Sequence, residues 1–318
     1  MKLVVLDGHT LNPGDLDWQP LAALGDLTVY PRTSPDVIVE RIGDADIILT
    51  NKTPISAGTL EHCPNLRYIG VLATGFNIID TRAAAARGIV VTNIPGYSTQ
   101  AVAQMTFALI LELCNHVQKH SDSVMRGDWN RAEDFCYWNE PLTELAGMTL
   151  GLIGFGQIGR QVARLAAAFD LRVLAAVRDP AAVSDAGSVE LTDLPTVIRQ
   201  ADIISLHVPQ TEETTGMINA ERLSRMKRGA WLINTARGGL IEDIAVRDAL
   251  VSGQLGAYAA DVLSIEPMPE EHPLTGAPNL LLTPHIAWAP QQTRRRLMQI
   301  AADNIKAYRH GRIQNQVN

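Results

Sequence analysis

The chain has 318 residues, 46% of them hydrophobic and 19% charged, the balance of a globular protein with room for about two domains. Its net charge of −7, with no Lys/Arg run longer than three residues, argues against a nucleic-acid partner. No apolar run approaches the roughly 18 residues of a membrane helix, and three scattered cysteines (Cys63, Cys114, Cys136) without a C-x-x-C pair predict reduced thiols, no metal centre and a cytoplasmic setting.

The opening "MKLVVLDGH" is apolar but short, and Asp7 interrupts it, so it predicts a buried strand and not a secretory signal. "DLTVYP" predicts a second strand. "SPDVIVERIGD" predicts a helix capped by Ser34 with Pro35 in its first turn. Then come a strand at "ADIILTN", a helix at "SAGTLEHCP" stopping near Pro64, and a strand at "LRYIGVLATG" running into a glycine turn. "NIIDTRAAAARG" predicts a helix ended by Gly88, and "IVVTNIPG" another strand. Such alternation implies a parallel sheet with helices on its faces.

"STQAVAQMTFALILELCNHVQKHSDSVMRGDW" predicts one long helix. Its apolar residues cover too much of the circumference for a surface position, so burial between domains or subunits is expected. The polar, aromatic "NRAEDFCYWNEPLTELAGM" predicts a loop. A second alternating series follows, with strands at "TLGLIGFG", "LRVLAAVRD", "ADIISLHVP", "AWLINTAR", "GAYAADVL" and "LLLTPHIA". Helices are predicted between them, for example at "TEETTGMINAERLSRMKRG" and "LIEDIAVRDALVSGQ", and at the closing "QQTRRRLMQIAADNIKAYRHG". The expected organisation is one domain of residues 1–97 plus 289–318 and a second domain of residues 98–288, facing each other across a cleft.

"GLIGFGQIG" carries Gly154, Gly156 and Gly159 at G-x-G-x-x-G spacing, behind a strand and ahead of a helix. Gly154 suits a tight turn, Gly156 a close approach of backbone to a pyrophosphate, and Gly159 close packing of helix on strand. The helix N-terminus then faces the anion. The tip of the next strand reads the adenosine ribose, and there stand Val177, Arg178 and Asp179. An acid at the tip favours NAD, whereas a guanidinium suits the extra phosphate of NADP. Arg178 tilts the reading slightly to NADP. Asp179 keeps NAD open, and a solvated surface charge is the plain alternative for Arg178.

Three further stretches fall at strand ends, where ligands bind in doubly wound sheets: "NTARGG", "DVLSIEP" and "TPHIAWAP". They bring Arg237, Glu266 and His285, which offer a carboxylate binder, an orienting acid and a proton donor. Singly each has an ordinary surface or structural reading. As a set behind a dinucleotide turn they suit the reduction of a 2-keto acid.

Over essentially its whole length the chain resembles the D-isomer-specific 2-hydroxyacid dehydrogenases. "LATGFNIID", "NIPGYSTQAVAQ", "LGLIGFGQIGRQVA", "LHVPQTEETTGMIN", "LINTARGGLIED", "AADVLSIEPMPEEHPL" and "NLLLTPHIAWA" carry the likeness, in that order. Within the family it is most similar to glycerate dehydrogenases, which reduce hydroxypyruvate or glyoxylate. The resemblance implies an α/β protein of two doubly wound parallel-sheet domains, a Rossmann nucleotide domain and a flavodoxin-like substrate domain. It implies catalysis by Arg237, Glu266 and His285. Arg237 would clamp the substrate, Glu266 would hold the imidazole, and His285 would exchange the proton while hydride passes from C4 of the nicotinamide. A carboxylate beside an imidazole favours its protonated form and selects the nitrogen that faces the substrate.

By the same resemblance Lys52, Ala73, Thr74, Gly75 and Trp288 would meet the substrate. Gln157 and Ile158 would lie on the pyrophosphate, and His207, Val208 and Pro209 by the adenine. Thr235, Ala236, Asp261 and Ala287 would stand by the nicotinamide. Gln104 and Ala287 depart from the family's usual Glu and Gly. A homodimer is implied, with an aromatic such as Trp138 as a candidate visitor to the partner's site. Another 2-keto acid, or a non-catalytic NAD(H)-sensing role on the same fold, are the alternative readings. Phosphoglycerate is disfavoured by the expected lack of an extra C-terminal domain.

Overall fold

The computed structural model describes residues 1–318, apart from the side chain of Ala182. Backbone contacts divide the chain into two units, Met1–Ser98 with Trp288–Asn318, and Thr99–Ala287.

The first unit holds five parallel strands: β1 (Lys2–Val5), β2 (Asp26–Val29), β3 (Ile47–Thr50), β4 (Tyr68–Val71) and β5 (Val90–Thr92). Their order in the sheet is β2-β1-β3-β4-β5. β3 and β4 are buried at every position, as strands covered on both faces must be. Alternate residues feed two cores. Leu3, Val5 and Leu49 face one, while Val4, Leu6 and Ile48 face the other. The closing helix Gln291–Arg309 covers the first of these with Leu297, Met298, Ala301 and Ile305. Arg294 on that helix grips Asp15 with two parallel bonds of 2.7 and 2.6 Å.

The second unit holds β6 (Thr149–Ile153), β7 (Arg172–Ala176), β8 (Glu190–Thr192), β9 (Ile203–Leu206), β10 (Ala230–Asn234), β11 (Leu255–Ala260) and β12 (Leu280–Leu282). They form a parallel sheet in the order β12-β11-β10-β9-β6-β7-β8. The strand order therefore reverses between β6 and β9, the point where a doubly wound sheet opens a crevice for a ligand. Leu150, Leu152 and Val173 face one core, and Ile153, Leu174 and Leu206 face the other.

Four local expectations change. The predicted long helix is two helices, Thr99–Asn115 and Val117–Met125, because His116 adopts φ 45° and turns the chain. Only the first is the apolar helix expected, packing Phe107, Ile110 and Cys114 on the second sheet. The second buries Ser123 alone. Ser34 makes no side-chain cap, since a 3-10 turn, Pro35–Val37, precedes the helix Ile38–Ile42. The helix predicted from Thr211 shrinks to Ala220–Ser224, capped by Asn219. Ahead of it the Thr214 hydroxyl bonds the Pro209 carbonyl and accepts from the Thr211 N–H, a local side-chain alternative to helix. Finally, β8 is a strand where none was expected, ahead of the helix Leu194–Gln200, which Asp193 caps.

Candidate active site

The turn after β6 separates the roles of its three glycines. Gly154 has φ 99°, and a Cβ there would stand 2.6 Å from the His207 carbonyl oxygen. A Cβ on Gly159 would stand 2.4 Å from the Gly154 carbonyl oxygen. The chain itself therefore needs both. Gly156 is different: its φ of −77° and ψ of −161° suit any residue, and a Cβ there meets nothing within 4 Å. It also caps the helix Gln157–Ala167 with no side chain in the way of that helix's first N–H groups. A glycine unneeded by the fold, at a helix N-terminus on the switch point, fits the close approach of a dinucleotide pyrophosphate.

Gly156→Ala is accordingly expected to keep the thermal midpoint of the wild type while weakening dinucleotide binding about tenfold or more. Gly154→Ala and Gly159→Ala are expected to lower the midpoint. Melting curves and a fluorescence titration with NADPH check this. A destabilised Gly156→Ala that binds normally would contradict it.

Around this turn, Gln157 is exposed and its Oε1 accepts from the Thr99 hydroxyl at 3.3 Å. Ile158 and Val208 are half-buried and Pro209 is exposed. His207 is half-buried, with Nε2 2.9 Å from the Ser205 hydroxyl. Desolvation pulls its pKa down to about 4, so the imidazole is neutral at pH 7. At the next strand, β7 ends at Ala176 and Val177 follows, half-buried. Arg178 is exposed and pairs with Glu213 at 3.2 Å. Asp179 folds back to accept the Ala181 N–H at 2.9 Å.

The three predicted catalytic residues all lie in the second unit. His285 follows β12 in a left-handed conformation, φ 55°. Asp261, buried at the end of β11, holds that segment on both sides. One oxygen accepts from the Thr283 hydroxyl (2.5 Å) and the Ile286 N–H (2.9 Å), and the other from the Ala287 N–H (2.8 Å). This over-determined loop is what sustains an uncommon φ at His285. Glu266 Oε2 stands 2.7 Å from His285 Nδ1, while its Oε1 accepts the Leu263 N–H at 3.0 Å. The acid is thus fixed by its own loop and fixes the ring in turn.

Arg237 is exposed, and its Nη1 donates to the Ala236 carbonyl at 2.7 Å. Buried Asn234 shapes this turn by donating to the Arg237 carbonyl (2.9 Å) and accepting from the Ala236 N–H (3.1 Å). The next residue, Gly238, packs directly on the loop that bears Glu266. A Cβ there would be 1.8 Å from the Leu263 carbonyl carbon. Thr235 is buried, and its hydroxyl meets that of Thr106 at 2.9 Å. Ala236 is half-buried and Ala287 buried.

The other predicted substrate residues lie in the first unit. Lys52 is exposed, on a loop gathered by Asp7 at that sheet's own switch point, between β1 and β3. The Asp7 carboxylate accepts the N–H groups of Asn51 (2.8 Å), Lys52 (2.6 Å) and Thr53 (2.8 Å). The Ala73–Gly75 turn is held by Thr74, whose hydroxyl donates to Ile94, and by Asn93, which donates to the Thr74 carbonyl. Trp288 is half-buried against the first unit's core. Asp7, Asn234 and Asn93 were not singled out from sequence. For Asp7 a signal existed: a carboxylate directly after a buried strand. Among the described residues no cluster of three or more potential metal ligands occurs, and no helix is long and apolar enough to cross a membrane.

Comparison with known proteins places the fold and the family. Residues 107–287 match the family model of the D-isomer specific 2-hydroxyacid dehydrogenase, NAD binding domain. A hydroxypyruvate reductase of Blautia hydrogenotrophica is 46% identical, covering 100% of both chains. A glycerate dehydrogenase of Methylorubrum extorquens is 42% identical over 89% of both. Among solved structures, an NADPH-dependent glyoxylate/hydroxypyruvate reductase from Sinorhizobium meliloti in complex with citrate superposes with a TM-score of 0.85. It is 27% identical, over 99% of this chain and 97% of that one.

Proposed function

We propose a reaction for a chain that belongs to the D-isomer specific 2-hydroxyacid dehydrogenase family: reduction of hydroxypyruvate or glyoxylate, with the D-2-hydroxy acid as product where the new centre is chiral. The observation that carries this reading is the 2.7 Å contact between His285 Nδ1 and Glu266. A histidine whose Nδ1 is fixed by a carboxylate presents Nε2 as the atom that gives and takes a proton. The intact pair speaks against a non-catalytic sensor of the same fold. When bound, a reduced nicotinamide dinucleotide supplies the hydride. Gly156 and the N-terminus of the helix Gln157–Ala167 hold its pyrophosphate. Arg237 receives the substrate carboxylate in its planar fork. His285 Nε2 delivers the proton to the oxygen at C2, and Glu266 stabilises the charge on the ring during the exchange. The test is the kcat/KM for hydroxypyruvate, glyoxylate and pyruvate. A preference for the first two supports the assignment, and a preference for pyruvate overturns it.

NADPH is the preferred nucleotide in this reading. No acid occupies the tip of β7, Asp179 is engaged with its own turn, and Arg178 extends into solvent, countered only by a surface carboxylate. An exposed pair of this kind is worth little and yields readily to a phosphate. Arg178→Gln is expected to lower kcat/KM for NADPH about tenfold and leave that for NADH unchanged. Equal losses with both nucleotides would contradict the role.

We also propose a homodimer. Met125, Phe135 and Trp138 on the second unit are 81%, 88% and 65% exposed, apolar surface that a lone chain in water rarely keeps. Sedimentation at twice the chain mass is expected, and sedimentation at the single-chain mass contradicts it. The three thiols are free, which supports a reducing compartment such as the cytoplasm.

A further inference from the structure

Behind the loop that bears Glu266 stands a second acid–imidazole pair, which the proposed reaction does not use. His272 is 3% exposed, and its Nε2 lies 3.5 Å from Oδ2 of Asp243, itself largely buried. His272 Nδ1 accepts the Leu274 N–H at 3.2 Å, which leaves the ring proton on Nε2, facing the carboxylate. Asp243 Oδ2 also accepts a hydrogen bond from the Ser264 hydroxyl. Oδ1 of Asp243 and Nε2 of His272 have no hydrogen-bond partner among the described residues. A buried, under-satisfied carboxylate is costly, so its retention calls for a task that a neutral side chain performs less well.

The chain path indicates that task. Asp243 opens the helix Asp243–Val251, shortly after Arg237 and Gly238. Ser264 adjoins Leu263, whose N–H binds Glu266 Oε1 and whose carbonyl carbon is the atom Gly238 packs against. The Asp243–Ser264 bond therefore links the segment of Arg237 to the segment of Glu266. His272 Nε2 faces the same oxygen at 3.5 Å without a hydrogen bond to it.

We propose that Asp243, supported by His272, is a positioning residue that ties the Arg237 segment to the Glu266 loop through Ser264 and so sets the Glu266–His285 contact. The proposal rests on the reading that Glu266 and His285 carry the proton transfer. A single anionic oxygen can accept from Ser264 and face His272 Nε2–H at once. The amide of an asparagine offers a weaker acceptor and brings a donor to the same place.

The experiment uses Ser264→Ala, which removes one exposed hydroxyl, beside Ser264→Thr, which keeps it, in the full-length protein. Ser264→Ala is expected to lower kcat roughly ten- to hundredfold and to shift its pH profile, with dinucleotide affinity and thermal midpoint unchanged. Ser264→Thr restores the wild-type profile. Asp243→Asn shows the same kinetic change with a lower midpoint. In a Glu266→Gln background, Ser264→Ala adds no further loss. A Ser264→Ala enzyme with wild-type kcat and pH profile, beside an impaired Glu266→Gln, overturns the positioning role alone. A Glu266→Gln enzyme indistinguishable from wild type overturns the underlying reading, and this proposal with it.

Discussion

His285→Ala is expected to cut kcat about 10²–10⁴-fold while leaving dinucleotide affinity within about twofold of wild type. The reasoning is geometric. The ring meets Glu266 through Nδ1, and its segment is held by Asp261 through Thr283, Ile286 and Ala287. Removing the ring leaves those backbone bonds in place, because none of them uses the imidazole. The glycine turn after β6 is untouched. Stopped-flow rates and NADPH fluorescence titration separate the two effects. Loss of nucleotide binding at near-normal turnover would remove His285 from the chemistry.

Arg237→Gln is the second large effect. Charge-assisted bonds to a carboxylate, once broken on one side, typically cost about 2–5 kcal/mol, so kcat/KM for the keto acid is expected to fall roughly 30- to several-thousandfold. Stability should not change, because Arg237 is exposed and its one assigned side-chain bond goes to the neighbouring Ala236 carbonyl. Arg237→Lys tests the shape of the clamp. It keeps the charge but not the two-pronged fork, and should recover only part of the loss. A lysine variant equal to wild type would mean that charge alone suffices. A glutamine variant with unaltered kcat/KM would remove Arg237 from substrate binding.

Much of the fold could be read from the chain because parallel sheets buried on both faces leave apolar runs that alternate with helical segments. The glycine turn was legible from its setting between strand and helix. His116 was not, because a left-handed histidine within a helical pattern carries no glycine or proline signal. The threonine-rich stretch before Ala220 was misread because its hydroxyls capture backbone groups locally, which composition does not reveal.

At the site, Arg237, Glu266 and His285 were visible as polar residues placed at strand ends. Their supports were not. Asp243, Ser264 and His272 come from three separate segments, and only the folded chain shows that they meet. Both oxygens of Asp261, a residue expected by the nicotinamide, hold the His285 segment, a long-range relation that spacing does not encode. The structure also sorts three glycines that the motif treats alike. Gly154 and Gly159 serve the turn, and Gly156 answers to no neighbour in the chain.

The central claim is hydride transfer from a nicotinamide to C2 of a small keto acid. It is tested most directly by following deuterium from C4 of reduced NADP or NAD during turnover with hydroxypyruvate. The account predicts D-glycerate labelled at C2, one deuterium per nucleotide oxidised. Unlabelled product, L-glycerate, or no oxidation of either nucleotide in its presence would contradict it.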